Sequence, residues 1–120
     1  MSEKFQVILT PEAQRDIRET VLYIARELRA PQAALALEDS LRERMRSLSS
    51  MPFRIKTVSE QPWKDAGVRK TRVKNYYIYF TLDEEKQAVY VIAVIYTGRD
   101  QLKQMAERRM EEPSGFERGD

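Results

Sequence analysis

Four cations, Arg69, Lys70, Arg72 and Lys74, fall within six residues, and Tyr77 and Tyr79 follow closely. If the segment is extended, its side chains alternate between two faces, with Lys70, Arg72 and Lys74 on one side and Arg69, Thr71 and Val73 on the other. Cations at every second strand position stand about 7 Å apart, within the range of successive phosphates along a nucleic-acid strand. On RNA, such a row can neutralise a phosphate and deprotonate an attacking 2′-hydroxyl, because neighbouring positive charge lowers the pKa of a lysine. The same row equally suits a solvated face that meets an acidic protein. Tyr77 and Tyr79 can stack on bases, or they can cover a sheet face and take a partner's apolar segment. Arg69 shares a face with Val73, so its stem is expected to be partly buried and its guanidinium to bond locally. Tyr96, Arg99 and Asp100 form a third group: Arg99 can hold a phosphate or a partner's carboxylate, and Asp100 suits the start of a helix, where free N–H groups need an acceptor.

The chain contains neither histidine nor cysteine. This removes Ser-His-Asp and Cys-His pairs, His- or thiolate-bound zinc, and disulfides, so no metal and no cofactor is expected. Catalysis, if there is any, must use Arg, Lys, Tyr, Asp or Glu. The formal net charge is +2, yet between Arg54 and Asn75 seven basic residues face only Glu60 and Asp65, a local +5 that leaves −3 elsewhere. Such an excess favours RNA, DNA or an acidic protein segment, and Arg54 and Lys56 can extend it; the alternative is a solvated face that keeps the protein soluble. The first residues hold no apolar stretch of signal-peptide length, and the longest apolar run, Val89 to Tyr96, is far shorter than a membrane span. A soluble, cytoplasmic protein without membrane contact is expected.

These residues must be positioned by a small set of elements. Phe5, Val7 and Leu9 alternate with Gln6, Ile8 and Thr10, predicting an opening strand. Thr10 then N-caps a helix with Pro11 at its first position. Ala13, Ile17, Val21, Ile24 and Leu28 recur at three or four residues and form its inward stripe. Arg29-Ala30-Pro31 breaks the pattern, and Ala34, Leu37, Leu41, Met45 and Leu48 start it again, so the two helices form an antiparallel hairpin. Phe53 to Trp63 has no period and reads as a loop that Trp63 anchors to the core. Val68 to Val73 and Tyr76 to Leu82 are strands joined by a tight Lys74-Asn75 turn, with Tyr76, Ile78 and Phe80 toward the hairpin and Tyr77 and Tyr79 away from it. Val89 to Tyr96 is apolar throughout, as a central strand covered on both faces would be. Arg99 to Met110 can form a closing helix with Leu102, Met105 and Ala106 inward. The expected architecture is α+β, a helical hairpin on a mainly antiparallel sheet, in a single domain over 1–112 with a disordered tail over 113–120.

In this order the residues resemble the RelE/ParE superfamily of toxins. The run Val7-Ile8-Leu9-Thr10-Pro11-Glu12-Ala13-Gln14-Arg15-Asp16-Ile17, followed by Tyr23-Ile24-Ala25, is similar to the family's opening strand and first helix. Ser47-Leu48 through Met51-Pro52 is similar to the end of its second helix. Gly67-Val68-Arg69, Val73 to Phe80, Val91 to Ile95 and Tyr96-Thr97-Gly98-Arg99-Asp100 resemble its strands. The resemblance implies a toxin of a type II toxin–antitoxin system, inhibited by a small acidic antitoxin in a hetero-oligomer. Two activities occur in the superfamily: ParE-like members bind DNA gyrase, and RelE-like members cut messenger RNA on the ribosome without a metal. Gly98-Arg99-Asp100 is similar to a His-Gly-x-Arg-Asp ending in the ParE branch, with Tyr96 roughly in place of the His. RelE-like nucleases usually carry an Arg where this chain reads Tyr76-Tyr77-Ile78. Gyrase-type binding is therefore the leading expectation, an endoribonuclease using Lys70, Arg72, Tyr96 and Arg99 the alternative, and an inactive toxin-like binding module the third. Residues expected to meet a target or antitoxin are Arg69, Lys70, Arg72, Lys74, Tyr77, Tyr79, Tyr96 and Arg99.

Overall fold

A computed structural model of the protein describes residues 4–111. Strand β1 (Gln6–Leu9) leads into helix α1 (Pro11–Leu22), a π turn (Tyr23–Glu27) and helix α2 (Pro31–Ser47); after a loop come strands β2 (Arg69–Val73), β3 (Tyr76–Asp83) and β4 (Ala88–Tyr96), and then helix α3 (Gln101–Glu111). The sheet order is β1-β4-β3-β2. β2, β3 and β4 form an antiparallel meander, and β1 pairs parallel to β4 with Leu9 opposite Val91. The sheet is thus mainly antiparallel with one parallel edge, and β4 is central.

The first helix starts as the Thr10-Pro11 step predicts: Thr10 Oγ1 accepts from the Ala13 N–H at 3.2 Å, with Pro11 in the first turn. Because β1 ends at Leu9, the Val94 N–H has no strand partner on that side of β4. The carboxylate of Asp16 on α1 accepts it at 2.9 Å, which satisfies a backbone donor and docks the helix on the sheet.

Between the two helices the structure departs from simple periodicity. Leu28 N–H donates to the Tyr23 carbonyl at 3.2 Å, a five-residue step that defines the π turn. The extra residue in that turn rotates everything after it, so Leu28, expected on the inward stripe, is 57% exposed. Arg29 then takes a positive φ of 52°, reversing the chain before Pro31.

The hairpin buries Ile17, Leu37, Leu41, Met45 and Leu48 against Val73, Ile78, Phe80, Val89, Val91 and Val94. On the opposite face a smaller core holds Val58, Trp63, Val68, Tyr79, Ala93, Ile95 and Met105. Trp63 anchors the long loop there, as expected. Strand β4 serves both cores through a β-bulge: Tyr79 pairs with Ala93 and Phe80 with Val91, leaving Ile92 as an extra residue. Strict alternation would put Val89, Val91, Ala93 and Ile95 on one face. The bulge instead sends Ala93 and Ile95 to the second core and returns Val94 to the hairpin side.

In α3, Met105 is buried, whereas Ala106, expected inward, is exposed. The side chain of Leu102 and the expected tail over 113–120 lie outside what is described. Among the described residues no helix is long and apolar enough to cross a membrane.

Candidate functional site

Strand β2 pairs Lys70 with Tyr79 and Arg72 with Tyr77, which places these four side chains on the sheet face away from the hairpin. The expected ladder is shorter by one cation. Val73 pairs directly with Tyr76, so Lys74 leaves the strand for the turn, with a positive φ of 52°, and stands exposed at its tip. Lys70 Nζ lies 4.3 Å from the centroid of the Tyr77 ring, a cation–π contact. Arg72 Nε donates to the Lys74 carbonyl at 2.8 Å, which bends this exposed guanidinium toward the turn.

Arg69 points the other way and acts as a strap. Its Nη1 donates to the Phe53 carbonyl at 3.0 Å and also to the Ile55 carbonyl, holding the loop after α2 against the strand. The expected local bonding is therefore present, and those contacts direct its guanidinium into the loop instead of toward a partner. Thr71, on the same face, accepts from Arg44 Nη1 at 2.8 Å and ties β2 to α2.

The two tyrosines beyond the turn differ sharply. Tyr77 is half-buried, edge-on to Tyr79 with centroids 6.2 Å apart. Tyr79 is 4% exposed, and its hydroxyl donates to Gln101 Oε1 at 2.7 Å. Burial, with smaller contributions from Tyr77 and Glu60, pushes that hydroxyl up to about 12. Tyr79 consequently presents no ring face to a base and cannot ionise near neutrality. It lines a cavity of about 140 Å³ together with Trp63, Lys70, Gln101 and Met105.

Tyr96 belongs to the hairpin side, and the exposed Arg99 follows in the turn after β4, its N–H donating to the Tyr96 carbonyl at 3.0 Å. Tyr96 pairs with Tyr76, and the two rings meet edge to face at 5.6 Å. Burial raises the Tyr76 hydroxyl above the usual phenol range; Tyr96 and Tyr23 push it in the same direction, and the positive charge of Arg99 pulls it back. Asp100 Oδ1 accepts from the Lys103 N–H at 3.2 Å and caps α3, the role its position predicts.

The candidates thus divide, with Lys70, Arg72 and Tyr77 on one face, Tyr96 on the other, and Arg99 in the turn beyond β4. The sheet lies between the two faces, Lys74 is at the tip, and Arg69 and Tyr79 are held in structural contacts. A phosphodiester-cleaving site needs its base, acid and phosphate clamp within hydrogen-bond reach of a single phosphate. The sheet separates Tyr96 from Lys70 and Arg72. Among the described residues no three carboxylates gather as a metal site would require. What the geometry offers is an open basic and aromatic surface suited to contact with a large partner.

Residues 7–101 match the sequence profile described as the ParE toxin of the type II toxin–antitoxin system, parDE. The chain belongs to the ParE toxin family. Similar solved structures include the chromosomal ParDE toxin–antitoxin system of P. aeruginosa, 17% identical over 78% of this chain and 96% of that one, with a TM-score of 0.64. Another is the toxin–antitoxin complex RelBE2 from Mycobacterium tuberculosis, 21% identical over 78% and 92% of the two chains, with a TM-score of 0.57. At these identities the likeness is one of fold. None of the curated proteins matches the sequence.

Within this ParE fold several working residues gave no chemical signal in the sequence. Asp16 holds the exposed edge of β4, and Gln101 accepts from Tyr79 while donating to the carbonyls of Tyr96 at 2.7 Å and Arg99 at 2.9 Å. Tyr23, quoted above only for its resemblance, stands 55% exposed in the π turn. Helical periodicity left it off the inward stripe.

Proposed function

We propose that this ParE-family chain is a cytoplasmic growth inhibitor that acts by binding a macromolecular target, of the gyrase-inhibitor kind, and that a small acidic antitoxin neutralises it in a hetero-oligomer. The supporting observation is the separation of the candidate groups: Lys70 and Arg72 lie across the sheet from Tyr96, which suits a distributed contact surface and disfavours a single cleavage centre. Tyr79, with its hydroxyl buried and engaged, supplies no proton-transfer group near neutrality. The exposed cations Arg72, Lys74 and Arg99 carry the sign of charge that an acidic antitoxin complements.

The test is inducible expression in bacteria with and without the antitoxin. Wild-type chain should suppress growth, and the antitoxin should restore it. Alanine at Lys70, Arg72 or Arg99 should weaken target affinity in graded fashion, about 5- to 30-fold each, as contacts worth about 1–2 kcal/mol do at an extended interface. Complete loss of inhibition at each of the three, on the scale of a 10²-fold or greater rate effect per essential group, would instead indicate a catalytic centre. Normal growth at verified soluble expression would favour a toxin-like module without activity.

A further inference from the structure

On the sheet face away from the hairpin, the loop before β2, the strands β2 and β3 and the start of α3 surround a cavity of about 140 Å³. Its inner wall is apolar and aromatic, with Val58, Trp63, Val68, Tyr79 and Met105 all buried. The exposed carboxylates of Glu60 and Asp100 stand at its rim with the partly buried Lys70 and Gln101. The loop is held to this wall by its own backbone. The Val68 N–H donates to the Trp63 carbonyl at 3.0 Å, and the Val58 N–H to the Val68 carbonyl at 2.8 Å. The return from Trp63 to Val68 passes through Gly67 at a φ of 80°, a left-handed conformation that glycine adopts without strain.

One polar group in that wall is unspent. Trp63 is 7% exposed, and its indole N–H is buried with no hydrogen-bond partner among the described residues. A buried donor left unmet bears the full loss of its hydration, so an acceptor brought beside it gains more than one at the surface. The other polar side chains around the cavity are engaged. The Tyr79 hydroxyl donates to Gln101 Oε1, Gln101 Nε2 donates to the Tyr96 and Arg99 carbonyls, Asp100 Oδ1 accepts from the Lys103 N–H, and Lys70 Nζ lies over the Tyr77 ring. The cavity therefore calls for a single acceptor on an otherwise apolar body.

Size and charge narrow that body further. An apolar cavity of about 150 Å³ takes one benzene ring, and Trp63 and Tyr79 offer aromatic surfaces for offset or edge contacts. Glu60 and Asp100 outnumber Lys70 at the rim, which repels an anion, and any net charge among Val58, Val68 and Met105 would lose its hydration. Water in the same space would meet the N–H only by hydrating those apolar side chains.

We propose that this cavity is a binding site for a small neutral aromatic compound, a single ring whose hydrogen-bond acceptor meets the Trp63 N–H. Its lining joins separate elements, Val58 and Trp63 from the loop, Tyr79 from β3 and Met105 from α3, so an occupant ties the closing helix to the loop and the sheet. Lys70 belongs both to the rim and to the cations of β2, which places the occupant beside the surface offered to the target. The site does not depend on what that target is.

Trp63 is the chain's one tryptophan, so the isotope-labelled full chain gives a single indole N–H signal. That signal is followed by nuclear magnetic resonance during titration with pyridine, benzene or benzoate, at mildly alkaline pH where pyridine is uncharged. Pyridine should move the indole proton downfield saturably, at about millimolar concentration for so few atoms, and slow its exchange with water. Benzoate should bind about tenfold more weakly or worse. In Trp63→Phe, followed through the ligands' own signals, pyridine should weaken about fivefold or more and benzene less than about twofold, because only pyridine loses a hydrogen bond. The proposal is overturned if pyridine gives no saturable shift in wild type, if benzoate binds as tightly as pyridine, or if Trp63→Phe weakens pyridine and benzene equally. Should Trp63→Phe fail to fold, the wild-type titrations decide by themselves. Growth inhibition is read in a separate assay, so failure here removes this site and leaves the proposed toxin function standing.

Discussion

Leu41 lies at the middle of α2, fully buried among Ile17, Phe80, Val91 and their neighbours, whereas Leu35, on the same helix, is 59% exposed. Leu41→Ala removes three carbon atoms, worth about 2.4 kcal/mol at ~0.8 kcal/mol per buried methylene. The cavity left between hairpin and sheet adds about 1–2 kcal/mol, because strands on one side and a helix on the other limit how far the walls can collapse. The expected total is about 3–4 kcal/mol, which in a domain of this size lowers the thermal midpoint by roughly 10–20 °C. Leu35→Ala should change stability by less than about 0.5 kcal/mol, since its side chain is already mostly in water. The assay is thermal and urea unfolding of both variants followed by far-ultraviolet circular dichroism. Equal shifts in the two variants, or a Leu41→Ala midpoint within a degree or two of wild type, would refute the packing of α2 on the sheet.

Two further outcomes follow from the tyrosine and arginine contacts. The Tyr79 hydroxyl titrates higher in the folded chain, about 12, than the ordinary 10 of an exposed phenol, so folding favours its neutral form. Its contribution is complete below about pH 10 and is lost as pH rises through about 12; urea unfolding across that window should show wild type losing stability more steeply than Tyr79→Phe, and parallel curves would contradict the buried hydroxyl. Arg69→Ala removes the donor to the Phe53 and Ile55 carbonyls, so limited proteolysis should cut the loop between α2 and β2 faster, at a stability cost of about 1–3 kcal/mol, while the helical signal is kept. Unchanged cleavage would show that the strap is dispensable.

Much of the frame was legible because it rests on local rules. The Thr10-Pro11 cap, the inward stripes of both helices, and the assignment of Tyr76, Ile78 and Phe80 to one face and Tyr77 and Tyr79 to the other all follow from period and cap chemistry. The departures come from single-residue insertions that leave no trace in composition. The π turn displaced Leu28 without interrupting the apolar series, and the bulge at Ile92 was invisible because every residue from Val89 to Ile95 is apolar or aromatic, so no alternation marks the phase. The candidate site was legible by residue type and less so by direction. Lys70 and Arg72 face as alternation requires. Lys74 sits in the turn expected for it and so leaves the ladder, and the Tyr79 hydroxyl is engaged because Gln101, distant in sequence, supplies its acceptor. Tyr96 was recognised as a candidate, but only the register of β3 with β4 shows that it faces away from Lys70 and Arg72.

A toxin that holds a gyrase-type target without cutting RNA leaves messages intact while DNA topology fails. Wild-type chain is induced in growing bacteria, and messenger-RNA ends on translating ribosomes are mapped beside chromosomal breakage and plasmid supercoiling in the same cells. With Lys70 and Arg72 across the sheet from Tyr96, the expected result is broken or abnormally supercoiled DNA with intact messages. Codon-linked message cleavage with normal DNA would contradict it and show that groups from both faces of the sheet converge on a phosphate when the ribosome is bound.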